Sequence, residues 1–329
     1  MLFTRIRLFT VLVCAALLAV LALPVTRSTA QTPLKVVATF SILGDLVANV
    51  AADKVDLKVL VGAGSDTHTY EPSPADSATL SDAALIFEIG ADFESWLDAL
   101  IKASGAKGTR IVLTEGMELI KFDGHHHDDD DMHKGGEGDK DEDKDHEGEH
   151  EHGEFDPHVW HDVSLTIKIV ERIRDALIAA DAENADSYTL NAATYIIELG
   201  LLDADLLFAV DDLPEARRTL ITTHDTFAYF GARYGFAVDS ALGATTEAAD
   251  PSAGEIAALI ERVKAAGVPA IFADNVSNPR LMEQIAREAS VTLAPPLFTD
   301  ALGEAGSEGE TYLKMMRYNM KTIVEALGK

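Results

Sequence analysis

Cysteine is nearly absent: Cys14 is the only one in 329 residues, and it lies in an apolar run near the N-terminus. Beyond that run no disulfide and no thiolate metal site can form, so any bound metal must take nitrogen and oxygen ligands. Cations are scarce as well. Lys and Arg number 27 against 55 Asp and Glu, for a formal charge of −28. So acidic a chain is a poor partner for nucleic acid or for anionic lipid. Nucleophile elbows, phosphate-cradling glycine loops and clustered basic patches are also missing, which removes the usual sequence grounds for hydrolase or nucleotide chemistry.

The first thirty residues read as an export signal. Arg5 and Arg7 precede the continuous apolar run Leu8 to Leu23, and Ser28-Thr29-Ala30 offers small residues for cleavage before Gln31. The alternatives are an uncleaved membrane anchor and a lipid anchor on Cys14. The apolar run is short for a span, and Cys14 follows Val13 rather than a small residue, too early in the run. Removing residues 1–30 takes away three arginines and no acid, so the charge moves from −28 to −31. An exported, soluble protein is the expectation. The remaining 299 residues exceed what one core usually fills, so two lobes are expected.

Short apolar runs alternate with helical patterns along the chain. Strands are expected at Leu34 to Phe40, Val55 to Val61, Ala84 to Gly90 and Arg110 to Leu113, then at Thr219 to Thr223, Phe236 to Leu242, Ala270 to Ala273 and Thr292 to Leu297. The expected fold class is α/β, each lobe a mostly parallel sheet flanked by helices. Between the lobes Tyr188, Ala192, Tyr195, Leu199, Leu202, Leu206 and Ala209 recur at spacings of four and three. They predict one helix over 182–212, on the order of 45 Å long, longer than a small lobe needs. It is taken as the strut joining a lobe over 31–181 to one over 213–329.

Histidine is where the chemistry concentrates. Seven of the eleven, His125, His126, His127, His133, His146, His150 and His152, lie in a run of glycine and charge over 124–154. That run has no apolar face to bury, so it reads as a solvated loop that attracts metal or simply solubilises. His146-Glu147-Gly148-Glu149-His150 matches a metalloprotease spacing, yet lacks the stable helix that chemistry needs. The other four are His68, in a Gly- and Pro-rich loop after the second strand, His158 and His161 after the acidic run, and His224 at a strand end. Asp300 also follows a strand. Loops at the carboxyl ends of parallel strands converge on one crevice, so His68, His158, His224 and Asp300 are expected to meet there. Three imidazoles and a carboxylate suit Zn²⁺, whereas Mn²⁺ favours more oxygen. His161 is read as a support for a ligand or as an exposed side chain.

Four segments carry a resemblance to the solute-binding proteins of bacterial zinc and manganese ABC importers. They are Gly64-Ser65-Asp66-Thr67-His68-Thr69-Tyr70-Glu71-Pro72-Ser73-Pro74, Asp156-Pro157-His158-Val159-Trp160, Thr223-His224-Asp225-Thr226-Phe227-Ala228-Tyr229-Phe230 and Phe298-Thr299-Asp300. The likeness covers nearly all of the chain after residue 30. It implies metal held by His68, His158, His224 and Asp300 between two lobes, a membrane ABC permease as partner, a monomer, and no catalysis. In that family a histidine at the third position resembles the zinc type and a glutamate the manganese type. A histidine- and acid-rich insert before the second ligand is similar to zinc-type members. His161-Asp162 replaces a more usual leucine-containing continuation. A zinc-dependent hydrolase, a metal-dependent adhesin and an extracellular zinc buffer are the competing expectations.

Overall fold

The computed structural model describes residues 32–122, 153–242 and 251–329. The expected export segment, the metalloprotease-like spacing and all seven histidines between 125 and 152 lie outside the described residues. Leu34–Lys329 form one compact unit in which strands and helices alternate throughout.

The first sheet holds β1 (Leu34–Phe40), β2 (Val55–Val61), β3 (Leu85–Glu88) and β4 (Thr109–Val112) in the order β2-β1-β3-β4, every pair parallel. β1 is apolar without alternation because both its faces are covered. Val36, Ala38 and Phe40 enter the main core, while Val37 turns to a smaller cluster with Leu80, Ile86 and Leu97. Helix α1 (Ser41–Ala51) lies close on β2 at Gly44, where an added Cβ would stand 2.5 Å from Val59 Cγ2. Helix α2 (Pro74–Asp82) starts at a capping box: the Ser73 side chain accepts from the Asp76 amide and the Asp76 carboxylate accepts from the Ser73 amide. Helix α3 spans Leu97–Ser104. Ala91 and Asp92 take positive φ (52° and 61°), which no helix accommodates, so the chain turns until Trp96.

A short 3₁₀ turn, Val159–His161, precedes α4 (Val163–Ala180), which Asp162 caps through the Ser164 amide. The long helix α5 spans Ala185–Asp211, with Ala182–Asn184 as a separate 3₁₀ turn before it. Tyr188, Ala192, Tyr195, Leu199, Leu202, Leu206 and Val210 form its buried face. In the second half, β5 (Thr219–Thr222) pairs in parallel with β6 (Ala237–Ser240), and β7 (Ala270–Asp274) with β8 (Thr292–Leu297). Pro295 and Pro296 cannot donate to the ladder, and β7–β8 pairing resumes with a register shift that sets Asp274 opposite Leu297. Helices α6 (Ala228–Tyr234), α7 (Ala253–Ala266), α8 (Arg280–Ala289) and α9 (Tyr312–Leu327) complete the lobe.

The fold is thus an α/β arrangement of two lobes of parallel strands and flanking helices, spanned by one long helix. The main core does not stop at the boundary. Phe40 and Trp160, Leu199 on the long helix, and Phe272 and Leu327 from the second half belong to one buried cluster. Burial across the junction resists wide separation of the lobes.

Candidate metal centre

Four side chains remote in sequence converge at the strand ends of the two halves. His68 lies in the loop after β2, His224 two residues after β5, and Asp300 three residues after β8. His158 arrives differently. Lys121 and Phe155 form an isolated antiparallel bridge, and the Asp156 amide donates to Ile120. The Tyr229 hydroxyl takes the Ile120 N–H (3.0 Å) and donates to the Asp156 carbonyl (2.8 Å). His158 therefore starts from a base pinned to helix α6 of the other half.

All four groups are buried, and one ligand atom from each lies within 4.8 Å of the others. His158 Nε2 is 3.4 Å from His68 Nε2 and 3.5 Å from Asp300 Oδ1. Asp300 Oδ2 is 3.0 Å from His224 Nε2 and 3.8 Å from His68 Nε2. A tetrahedron with ligands at ~2.0–2.1 Å has edges of about 3.3 Å, so these separations suit a small cation at the centre. Asp300 Oδ1 is buried without a hydrogen-bond partner, an expensive state unless a cation answers it.

Two further carboxylates aim the rings. Asp156 Oδ1 lies 2.7 Å from His158 Nδ1 and also accepts the His158 amide at 2.8 Å. Asp274 Oδ2 lies 2.6 Å from His224 Nδ1. Each carboxylate takes up its ring's Nδ1 side, which leaves Nε2 turned toward the centre. Burial alone would raise Asp300, but the charges of His224, His158 and His68 hold its carboxyl far below the usual range. Burial likewise works against a charged His224, yet Asp300 and Asp274 lift its imidazole well above the ordinary value. Without metal the site carries protons that an incoming cation must displace.

The surroundings are dry and braced. Phe93 meets the His68 ring edge-on at 5.0 Å between centroids. Trp160 Nε1–H donates to the Thr299 carbonyl (2.9 Å), tying the turn after His158 to the segment bearing Asp300. The Gly64 amide donates to Leu302 (2.8 Å), and the Leu302 amide to Ser41 Oγ (3.0 Å), so the first half grips that segment of the second.

His161 corrects the sequence reading. Far from being exposed, it is fully buried, its ring tilted on Phe227 at 4.5 Å. Burial pushes its pKa down to about 3, so it is neutral. The 3₁₀ turn directs it away from the cluster, which it does not join. Asp274 was missed: the strand expected to end at Ala273 runs one residue further, and Asp274 occupies its carboxyl end. The rule that found His224 and Asp300 applies to it equally.

Residues 36–326 match the family described as zinc-uptake complex component A, periplasmic. The chain belongs to this family. It is thereby an extracytoplasmic binding component of metal uptake and not an enzyme. It is similar to a manganese-binding lipoprotein of Halalkalibacterium halodurans, 30% identical with 90% of this chain and 89% of that one covered. A manganese ABC transporter substrate-binding lipoprotein of Streptococcus pneumoniae is also 30% identical, covering 90% and 89%. Among solved structures, the periplasmic zinc-binding protein of Treponema pallidum aligns with a TM-score of 0.77 at 29% identity, over 90% of this chain and 99% of that one.

Proposed function

We propose that the protein is a zinc receptor that takes Zn²⁺ from outside the cytoplasm through His68, His158, His224 and Asp300 and delivers it to a membrane ABC permease. One observation carries the reading: three imidazole nitrogens and one carboxylate converge within 4.8 Å of one another, with no thiolate available. A ligand set with three nitrogens favours Zn²⁺ over Mn²⁺. Asp300 fills the position that a zinc hydrolase would leave to water.

Manganese is the second reading, favoured by the names of the two lipoproteins at 30% identity. Metal analysis of protein purified without added metal, followed by competition between Zn²⁺ and Mn²⁺, separates the two. Stoichiometric zinc that excess manganese cannot displace is expected. Bound manganese that survives equimolar zinc would end the zinc reading.

The lobes over 31–181 and 213–329 act as the two walls of the site, with 182–212 as strut. Closure on metal is modest because the core is continuous across them. Small-angle scattering of apo and zinc forms should show little change in radius; a large drop contradicts this. The run 124–154 serves as a weak zinc collector ahead of His158. Deleting residues 124–153 should lower the total zinc bound while sparing the tight site, and unchanged stoichiometry would leave that run a solubilising linker.

A further inference from the structure

Asp300 stands on a buried stretch of chain beyond the last strand. β8 ends at Leu297, so the backbone groups of residues 298–302 must find partners outside a strand ladder. Side chains supply most of them. Asn319, wholly buried in α9, accepts the Phe298 N–H through Oδ1 (2.9 Å) and donates from Nδ2 to the Phe298 carbonyl (2.7 Å). Trp160 and Ser41 take the Thr299 carbonyl and the Leu302 amide. Asn275 holds two more: its Oδ1 accepts the Thr299 N–H (3.0 Å) and its Nδ2 donates to the Ala301 carbonyl (3.2 Å). One amide side chain thus brackets Asp300, at the residue before it and the residue after. We propose that Asn275 is a positioning residue of the metal centre, fixing where the Asp300 carboxylate stands among the three imidazoles.

The bracket needs an acceptor on one arm and a donor on the other, and a carboxamide carries both. Its orientation is fixed as well, since a flipped amide would set donor against donor and acceptor against acceptor. Asn275 is itself anchored: its N–H donates to the Leu297 carbonyl (2.9 Å), just past the register shift between β7 and β8. Its neighbour Asp274 lies 2.6 Å from His224 Nδ1. Consecutive residues at the end of β7 therefore serve both ligands of the second half, one through a ring and the other through the backbone. Metal–ligand distances tolerate a shift of only about 0.2 Å. The Asp side chain is too short to make up a larger displacement of its own backbone. Asp300 Oδ2 already stands 3.0 Å from His224 Nε2, so the carboxylate is in place before any metal arrives.

The inference rests on the reading that these four groups hold a metal, and the test keeps the two apart. Asn275 is half-buried, so Asn275→Ala is expected to fold, which its apo melting temperature checks. Should that variant melt early, the near-isosteric Asn275→Leu repeats the measurement. Affinity is read by dye competition, with whichever of Zn²⁺ and Mn²⁺ the wild type holds. The substitution should weaken it ~10–100-fold, the range for partners that orient a ligand. A double-mutant cycle then shows whether the loss runs through Asp300. In an Asp300→Ala background the same change should cost almost nothing, and in a His68→Ala background it should keep its full penalty. In the metal-free protein, amide exchange at Thr299 should speed several-fold, while Phe298, held by Asn319, keeps its rate. Three outcomes overturn the inference alone: affinity within about threefold of wild type, an equal loss in the two backgrounds, or unchanged exchange at Thr299. A wild type that binds neither metal ends the proposed function and this inference with it.

Discussion

Replacing Asp274 with asparagine tests whether the carboxylates behind the ligands set the affinity of the site. Asp274 Oδ2 stands 2.6 Å from His224 Nδ1, both side chains wholly buried, so no water can replace it. Asparagine keeps the size and loses the charge. Either its carbonyl accepts the Nδ1–H more weakly, or its amide donates to Nδ1 and forces the proton onto Nε2, the atom facing Asp300. Loss of such a partner costs ~10–100-fold in metal affinity, or about 1.4–2.7 kcal/mol. The pH dependence should change as well. With Asp274 and Asp300 both holding a proton on His224, zinc must displace it, so wild-type affinity rises with pH. With one of those charges gone the proton is held less firmly, and the slope of affinity against pH becomes shallower. Competition with a zinc-sensitive dye at several pH values measures both, and the apo melting temperature checks that the variant folds. A variant within about threefold of wild type and with the same slope would refute the argument.

Other expectations follow from the same geometry. Zinc at about 100 times its Kd should stabilise the protein by about 2.7 kcal/mol, seen as a higher melting temperature that a chelator reverses; no shift would mean that the four groups do not bind it. Glu94 is buried, accepts from Thr39, Ile89 and Gly90, and burial pushes it up to about 7 from 4.5. A raised folded-state pKa gives stability that is full below about pH 4.5 and lost as pH rises to about 7, on the order of 3 kcal/mol. Urea unfolding of Glu94→Gln should lack that decline between those limits, and parallel profiles for the two proteins would contradict the assignment. His161→Leu removes a neutral, fully buried imidazole that stands outside the cluster, and zinc affinity measured by dye competition should be nearly unchanged. A tenfold loss of affinity would show that the imidazole supports the site.

Most of the fold was legible because its signals are local. β1, β2 and β8 stand where short, largely apolar runs put them. The buried face of the long helix runs as its spacing indicates from Tyr188 to Leu206, and Val210 takes the place expected of Ala209 in the main core. The differences arise where tertiary contacts decide. Helix α3 begins only at Leu97, because the backbone at Ala91 and Asp92 is turned to positive φ ahead of Phe93, whose ring meets His68. No periodicity in the sequence encodes that need.

The site divides along the same line. His68, His224 and Asp300 could be found because a strand end fixes where a residue starts, and parallel strands send their ends to one side. What a strand end does not fix is ring orientation. Asp156 and Asp274 supply it across gaps of 2 and 50 residues, and the second of these gaps carries no sequence signature. His161 shows the converse. It stands three residues from a ligand, within the motif that carries the resemblance, and a 3₁₀ turn still sends it to Phe227 instead of the metal centre. Proximity along the chain selects candidates here, and only the direction of each side chain decides which of them bind.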